Sequence, residues 1–328
     1  MLGLMTVACQ QPKEWVQSQN TGPALGTSYS ILYQADRELD FQDEIDSVFR
    51  VVNQSLSTYL PESDISRINR GETGVTVDAM FKEVLSRSKD IHKATNGFFD
   101  PTVGTLVNAW GFGPEEGEVL MDAATVDSLM QYVGLDKVHL GENGVLSFSK
   151  EGMYLDFNAI AKGYAIDRLA VMLNGKGLEH YLVEVGGEIV AKGHNAVKGK
   201  PWSVGIDDPE DTAGRGLKLL IGLEDRALAS SGNYRKFRID GETGEKYVHT
   251  IDPKTGLAKN STTLAVTVLA DDCATADAFA TAFMAMDREA VKRLVDKRSD
   301  LEVYIIYLDA NGETQQYFTD GFKDLVLP

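Results

Sequence analysis

Cysteine is nearly absent from this 328-residue chain, which holds only Cys9 and Cys273. Two thiols exclude a disulfide framework and a cysteine-based zinc centre. No apolar run approaches the ~20 residues a membrane helix requires. Basic clusters are missing as well. Lysine and arginine total 32 against 49 acidic residues, a formal net charge of −17. Nucleic acid is therefore not an expected partner, because phosphate contacts need clustered Lys and Arg. A phosphorylated small molecule is still admissible, since a few local donors and a metal offset the general repulsion. Several catalytic signatures are lacking too: GxxxxGK[ST], GxGxxG after a strand, HExxH, and a Gly-x-Ser-x-Gly elbow. Any nucleotide chemistry here uses another layout.

What is present begins with an apolar N-terminus. Met1 to Cys9 ends in small residues and turns polar at Gln10. That pattern is similar to the tail of a bacterial lipoprotein signal, in which the cysteine is lipidated. The alternative is an ordinary unstructured terminus. Residues 10–22, rich in Gln, Ser and Asn, read as a tether. This predicts a signal remnant and tether over 1–22 and a single domain over 23–328. It also predicts an extracytoplasmic protein, lipid-anchored at Cys9 and facing the periplasm.

Helical and extended patterns alternate along the rest, which predicts an α+β fold. A first strand is expected over Thr27–Tyr33. Helices are expected over Phe41–Gln54, Asp78–Thr95 (Asp78 as N-cap, Gly97 as stop), Asn158 to before Gly175, Ala274–Met286 and Arg288–Lys297. Between the third and fourth helices the sequence is rich in β-branched and aromatic residues. Strands are expected there over Tyr181–Val185, Trp202–Ile206, Lys218–Leu223, Lys236–Ile239, Tyr247–Ile251 and Thr262–Leu269. A closing hairpin turns at Asn311-Gly312.

Several places carry candidate chemistry. Asp277 and Thr281 sit at i and i+4 on one helix face among alanines. A carboxylate and a hydroxyl are hard oxygen ligands suited to Mg²⁺. The plain alternative is an exposed Asp and a Thr bonded back to the helix. Asp156-Phe157-Asn158-Ala159-Ile160-Ala161-Lys162-Gly163 reads as a strand end entering a helix. Free N–H groups there, with Lys162 in a turn that usually prefers acids, suit a phosphate; the alternative is a solvated lysine. His249 precedes the turn Asp252-Pro253-Lys254-Thr255-Gly256 and can serve as a general base, or be structural. Phe98-Phe99-Asp100-Pro101 echoes that turn. Gly186-Gly187 and Ser230-Ser231-Gly232-Asn233 mark strand ends where a ligand can approach backbone, or plain turns. Trp110 reads as core or rim.

In this order these segments resemble the ApbE family, the FAD:protein FMN transferases. The resemblance includes Leu25-Gly26-Thr27, Ser57-Thr58-Tyr59-Leu60-Pro61 with Ser66 to Asn69, Gly97 to Pro101, and Asp156 to Tyr164. It continues through Glu184 to Glu188, Ser230 to Tyr234, His249 to Gly256 and Asp277 to Thr281. It implies helices and twisted sheets around a central FAD cleft. It implies a Mg²⁺-dependent enzyme that moves FMN from FAD to a Thr or Ser hydroxyl of a target protein and releases AMP. Targets in such a family are subunits of membrane redox complexes or other extracytoplasmic flavoproteins. By the same resemblance, Asp277, Thr281 and the Ala159 carbonyl hold the metal. Leu25, Tyr59, Phe98, Phe99, Asp100, Asp156, Lys162 and Ile251 contact FAD, and His249 is the catalytic histidine. Leu25 stands where the family usually has Met, and Ala280 where some members add a carboxylate. A metal-dependent FAD pyrophosphatase would use the same residues; a third reading is a non-catalytic flavin-binding lipoprotein, against which Asp277, Thr281 and His249 together argue.

Overall fold

A computed structural model describes residues 14–114, 121–211, 216–233, 237–239, 246–248, 250–258 and 261–328. The chain opens with β1 (Val16–Ala24) and β2 (Thr27–Ala35), followed by α1 (Gln42–Leu56), α2 (Asp64–Asn69) and α3 (Ala79–Ala94). After a 3₁₀ turn at Pro101–Val103 come α4 (Gly104–Ala109), α5 (Ala123–Met130), β3 (Val138–Leu140), β4 (Leu146–Phe148) and the long α6 (Asn158–Gly175). Then follow β5 (His180–Val185), β6 (Glu188–Lys192), β7 (Trp202–Asp207), β8 (Leu217–Leu223), β9 (Arg226–Gly232), β10 (Phe237–Ile239), β11 (Lys246–Val248) and β12 (Thr263–Ala270). The remainder is α7 (Cys273–Ala285), α8 (Arg288–Val295), β13 (Glu302–Leu308), β14 (Thr314–Phe318) and α9 (Asp320–Lys323).

An eight-stranded sheet in the order β1-β2-β5-β6-β9-β12-β13-β14 organises these elements. Its neighbours all pair antiparallel. Helices α1, α3, α6 and α7 cover one face, and the β7–β8 hairpin with α9 covers the other. The alternation along β9 and β12 shows the division. Ala229, Val266 and Val268 pack with the α7 core, whereas Leu228, Ala265 and Leu269 pack with Trp202 and Val204. The α+β class read from the sequence is the observed one.

Residues 16–22 correct the expected tether: they form most of β1. VQSQNTGPA lacks the apolar alternation of a half-buried strand, so pattern alone cannot find it. Its inward side chains are polar but satisfied. The Leu39 N–H donates to Ser18 Oγ at 3.0 Å, and Tyr33 Oη donates to Asn20 Oδ1 at 2.7 Å. Two hairpins bring tight turns to one end of the sheet. Leu25 and Gly26 (φ 50° and 76°) link β1 to β2, and Gly186 and Gly187 (φ 60° and 97°) link β5 to β6. Positive φ at both central residues matches the right-handed twist of the strands. Leu25 holds this conformation without being glycine, a strained backbone at a position the resemblance puts against FAD.

Candidate active site

The site forms where α6 crosses the start of α7. Helix α7 is buried all round; Ala274, Ala276, Ala278, Ala280 and Ala282 are each 0% exposed. Such small side chains let α6 approach closely. Gly163 completes the fit, because a Cβ there would lie 2.3 Å from the Cys273 carbonyl oxygen. At this crossing the Gly163 N–H donates to Oδ2 of Asp277 at 3.1 Å. Asp277 is 5% exposed, so the alternative of a solvated aspartate is excluded. Thr281 lies one turn on, with its Oγ1 3.5 Å from Ser231 Oγ on β9.

Lys162 does not stand free in its helical turn. Its Nζ lies 2.7 Å from Oε2 of Glu188, a residue the sequence reading gave no role. Glu188 is 2% exposed and follows the Gly186-Gly187 turn directly. Burial pushes the Asp277 carboxyl up, and the Lys162 charge and the Gly163 N–H pull it back down. One lysine faces two carboxylates in this buried cluster, and a bound cation would offset the second carboxylate. Among the described residues no three or more His, Cys, Asp or Glu cluster as an all-protein metal cage. One carboxylate with nearby hydroxyls instead fits Mg²⁺, which binds through one or two carboxylates and completes its shell with water and substrate phosphate. Ala159, in the first turn of α6, is half-buried beside this core.

The start of α6 is held by several side chains. Asp156 Oδ1 accepts from the Asn158 N–H at 2.7 Å, and the Asp156 N–H donates to the Pro101 carbonyl at 2.7 Å. Asn158 Nδ2 donates to Thr58 Oγ1 at 3.2 Å. Asn69 grips the preceding extended segment twice: Nδ2 donates to the Leu155 carbonyl at 2.8 Å, and Oδ1 accepts from the Leu155 N–H at 2.9 Å. Thr58, Asn69, Pro101 and Asp156, far apart in sequence, are thereby held around one helix start. Tyr59 is 60% exposed, an aromatic face open to a planar ligand.

The two Asp-Pro turns meet. Lys254 Nζ lies 4.5 Å from the centre of the Phe98 ring, and Trp110 Nε1 donates to the Gly256 carbonyl at 3.0 Å. Trp110 and Ile251 share a small apolar cluster with Leu106 and Val133, so Trp110 is core. Phe99 is buried. Asp100 is 7% exposed and accepts from the Thr102 N–H (2.8 Å) and Thr102 Oγ1 (2.6 Å). Burial raises the Asp100 carboxyl, while those bonds and nearby His92 lower it. The turn at 101–104 packs closely on residues 154–156, for a Cβ at Gly104 would meet Tyr154 Cδ1 at 2.3 Å and Asp156 Cβ at 3.2 Å. His249 lies outside the described residues. Thr250 beside it donates to Asn233 Oδ1 at 3.0 Å, which ties that strand end to the end of β9.

A further carboxylate supports the crossing and was not legible in the sequence. Asp167 on α6 accepts from the first N–H groups of α7, Cys273 (2.7 Å) and Ala274 (2.9 Å). Burial and the charge of Asp272 push its carboxyl up to about 7, against those two bonds and Arg87. Arg87 holds Asp272 at 2.8 Å.

Known proteins are similar to this chain in sequence and fold. The sequence model of the ApbE family matches residues 25–305. The FAD:protein FMN transferase of Haemophilus influenzae is 35% identical over 95% of this chain and 92% of its own. That of Vibrio cholerae is 34% identical over 98% and 95%. Among solved structures, the flavin transferase ApbE of Vibrio cholerae superposes with a TM-score of 0.83 at 33% identity, covering 95% of this chain and all of that one. The apo form of the Pseudomonas stutzeri flavinyl transferase ApbE superposes with a TM-score of 0.83 at 27% identity, covering 95% and 97%.

Proposed function

Since the chain belongs to the ApbE family, we propose that it transfers FMN from FAD to a threonine or serine hydroxyl of another protein, with Mg²⁺ bound at Asp277, Thr281 and the Ala159 carbonyl. The observation that carries this reading is the buried Asp277 beside the Lys162–Glu188 pair, at the open start of α6. A passive flavin binder needs no such charge arrangement.

The reaction balances without a redox partner. The acceptor Oγ attacks the FMN-side phosphorus of the FAD pyrophosphate. The bond from that phosphorus to the bridging oxygen breaks, and AMP leaves with the oxygen. The hydroxyl proton passes to His249 as general base. Mg²⁺, when bound, neutralises the pyrophosphate and stabilises the leaving phosphate. Lys162 contributes a positive charge to the same region and is kept in place by Glu188. Asp156 fixes the first turn of α6, whose N–H groups favour an anion. Tyr59 and Phe98 offer aromatic faces to the flavin or adenine ring. Leu25, Phe99, Asp100 and Ile251 shape the remaining contacts.

The acceptor is taken to be an extracytoplasmic flavoprotein or redox-complex subunit, with this protein anchored nearby through lipidated Cys9. Labelling of the wild-type protein but not of Cys9→Ser with a fatty acid in cells tests the anchor. Cys9 lies outside the described residues. The activity is tested by mass spectrometry of a mixture of protein, FAD, Mg²⁺ and acceptor. An acceptor gaining one FMN group, with AMP released, is the expected result. AMP and free FMN with no adduct on any acceptor would replace the transferase with a pyrophosphatase.

A further inference from the structure

On the sheet face opposite α7 lies a groove of about 350 Å³, which reaches the site described above only at Gly187 and Ser230. Its floor includes Leu182, Ile189, Leu228, Ser230 and Thr267 of the main sheet; its wall is β7. Among the described residues β7 pairs only with β8, and none of them pairs with its other edge. The register shows which groups that edge presents. On β8, the Gly222 N–H and the Leu220 carbonyl bond to the C-terminal residues Leu325 and Leu327, away from β7. Backbone groups alternate sides along a strand, so those of Ile221 point to its β7 partner Val204. The N–H and C=O of Ser203 and Gly205 therefore point outward along the groove. Both residues are small and exposed, and both line it. Natural edge strands are usually blunted by Pro, Lys or a covering loop; here the middle of the strand presents a serine and a glycine, with Pro201 just before it and the charged Asp207 at its end.

The groove ends against the active site. Gly187 and Ser230 line it, and the next residue in each case, Glu188 and Ser231, faces Lys162 and Thr281 through the sheet. The end of the sheet at the Gly186–Gly187 turn separates the two faces. Glu184 and Asp207 add a negative rim, while Leu182, Ile189 and Leu228 form an apolar floor.

Resting on the transferase reading, we infer that the outer edge of β7 docks the acceptor protein by strand addition. The acceptor contributes an extended segment with apolar side chains toward the floor and a basic or amide group toward Glu184 and Asp207. Its hydroxyl residue follows this segment around the end of the sheet to the metal-side face. Backbone pairing makes the surface tolerant of acceptor sequence, and the rim and floor supply the selection.

Two measurements test this. Ser203→Pro removes an outward N–H and fills the edge while leaving the β8 ladder intact, since that N–H takes no part in it. Ser203→Ala keeps the N–H and is the matched control. With a redox-subunit domain bearing the unmodified acceptor threonine, Ser203→Pro is expected to slow FMN transfer about tenfold or more, the scale of one or two lost hydrogen bonds. The loss appears as a raised KM for acceptor, FAD binding is unchanged, and Ser203→Ala transfers normally. In hydrogen exchange the amides of residues 203 and 205 of the wild-type protein become protected when acceptor is added. Transfer at wild-type rate by Ser203→Pro, or protection that appears elsewhere, would overturn the proposal. Protection of both amides before acceptor is added would show that this chain's own segment fills the groove, and also overturns it. Failure of the wild-type protein itself to modify any acceptor removes the transferase reading instead, and this docking role with it.

Discussion

The Gly163 N–H meets Asp277 Oδ2 at 3.1 Å, and this contact ties the helix that carries Lys162 to the helix that carries the proposed metal ligand. The contact exists because residue 163 has no side chain. Any Cβ would press on the Cys273 carbonyl and on the Ala274 nitrogen, which lie 2.3 and 2.8 Å from its position. The spacing of the site is thus set by backbone touching backbone, which gives way far less than side-chain contact.

Gly163→Ala is accordingly expected to separate the two helices. Overpacking of this kind costs about 1–3 kcal/mol. The urea midpoint should fall with an unchanged m-value, and FMN transfer should slow in the same variant. A midpoint equal to wild type would show that the crossing relaxes without cost.

Asp277→Asn keeps the shape of the side chain and removes its charge. Loss of the cation contact is expected to cut transfer about a hundredfold or more. Thermal stability should hold or rise, because a buried carboxylate is replaced by a neutral amide. Rate and melting temperature measured together separate this from simple unfolding. A full rate at ordinary Mg²⁺ concentration contradicts the ligand role.

Glu188→Gln tests the charge balance of the cluster. It removes one carboxylate charge while leaving a hydrogen-bonding partner for Lys162. Partners outside the immediate ligand shell typically change metal affinity about 10–100-fold. The expected outcome is a Mg²⁺ requirement raised by about tenfold, read from transfer rate against Mg²⁺ concentration. An unchanged requirement would restrict Glu188 to positioning Lys162.

Asp167→Asn addresses pH. The folded-state pKa lies at about 7, above the ordinary 3.8, so the folded protein keeps a proton that the unfolded chain releases. The associated stability is complete below about pH 4 and is lost as pH rises to 7. Stability of wild type relative to Asp167→Asn should therefore fall across that window and be flat above it. The full change is on the order of 4 kcal/mol at most. Urea midpoints at several pH values between 4 and 8 provide the check; parallel curves for the two proteins would contradict it.

Sequence reasoning reached the parts of this site governed by short-range periodicity. Asp277 and Thr281 share a face because a helix repeats every 3.6 residues, and the alanines around them foreshadow a buried helix. The major helices lie within a few residues of their expected bounds, for example Asp78 as the N-cap of α3. Pairings across long sequence separations were not legible. Nothing near Lys162 in the chain points to Glu188, and nothing near Asp167 points to the start of α7. Strands β1 and β9 escape pattern reading for a local reason: one is largely polar, with two Gln and a Ser and Asn, and the other is mostly small residues, two Ala, two Ser and a Gly. Both are strands because their neighbours pair with them and satisfy their polar atoms, information that no window of sequence holds.

The double grip of Asn69 on Leu155 bears on mutational tolerance. A primary amide alone among the small side chains both donates and accepts in the geometry of a peptide unit. Aspartate would turn an acceptor toward the Leu155 carbonyl, and leucine would strand both backbone groups. Position 69 is therefore closed to its closest isosteres, although Asn69 itself belongs to no expected ligand set. A library of substitutions across this chain should find it as intolerant as the proposed metal ligands, and intolerant for loss of foldedness as well as of catalysis.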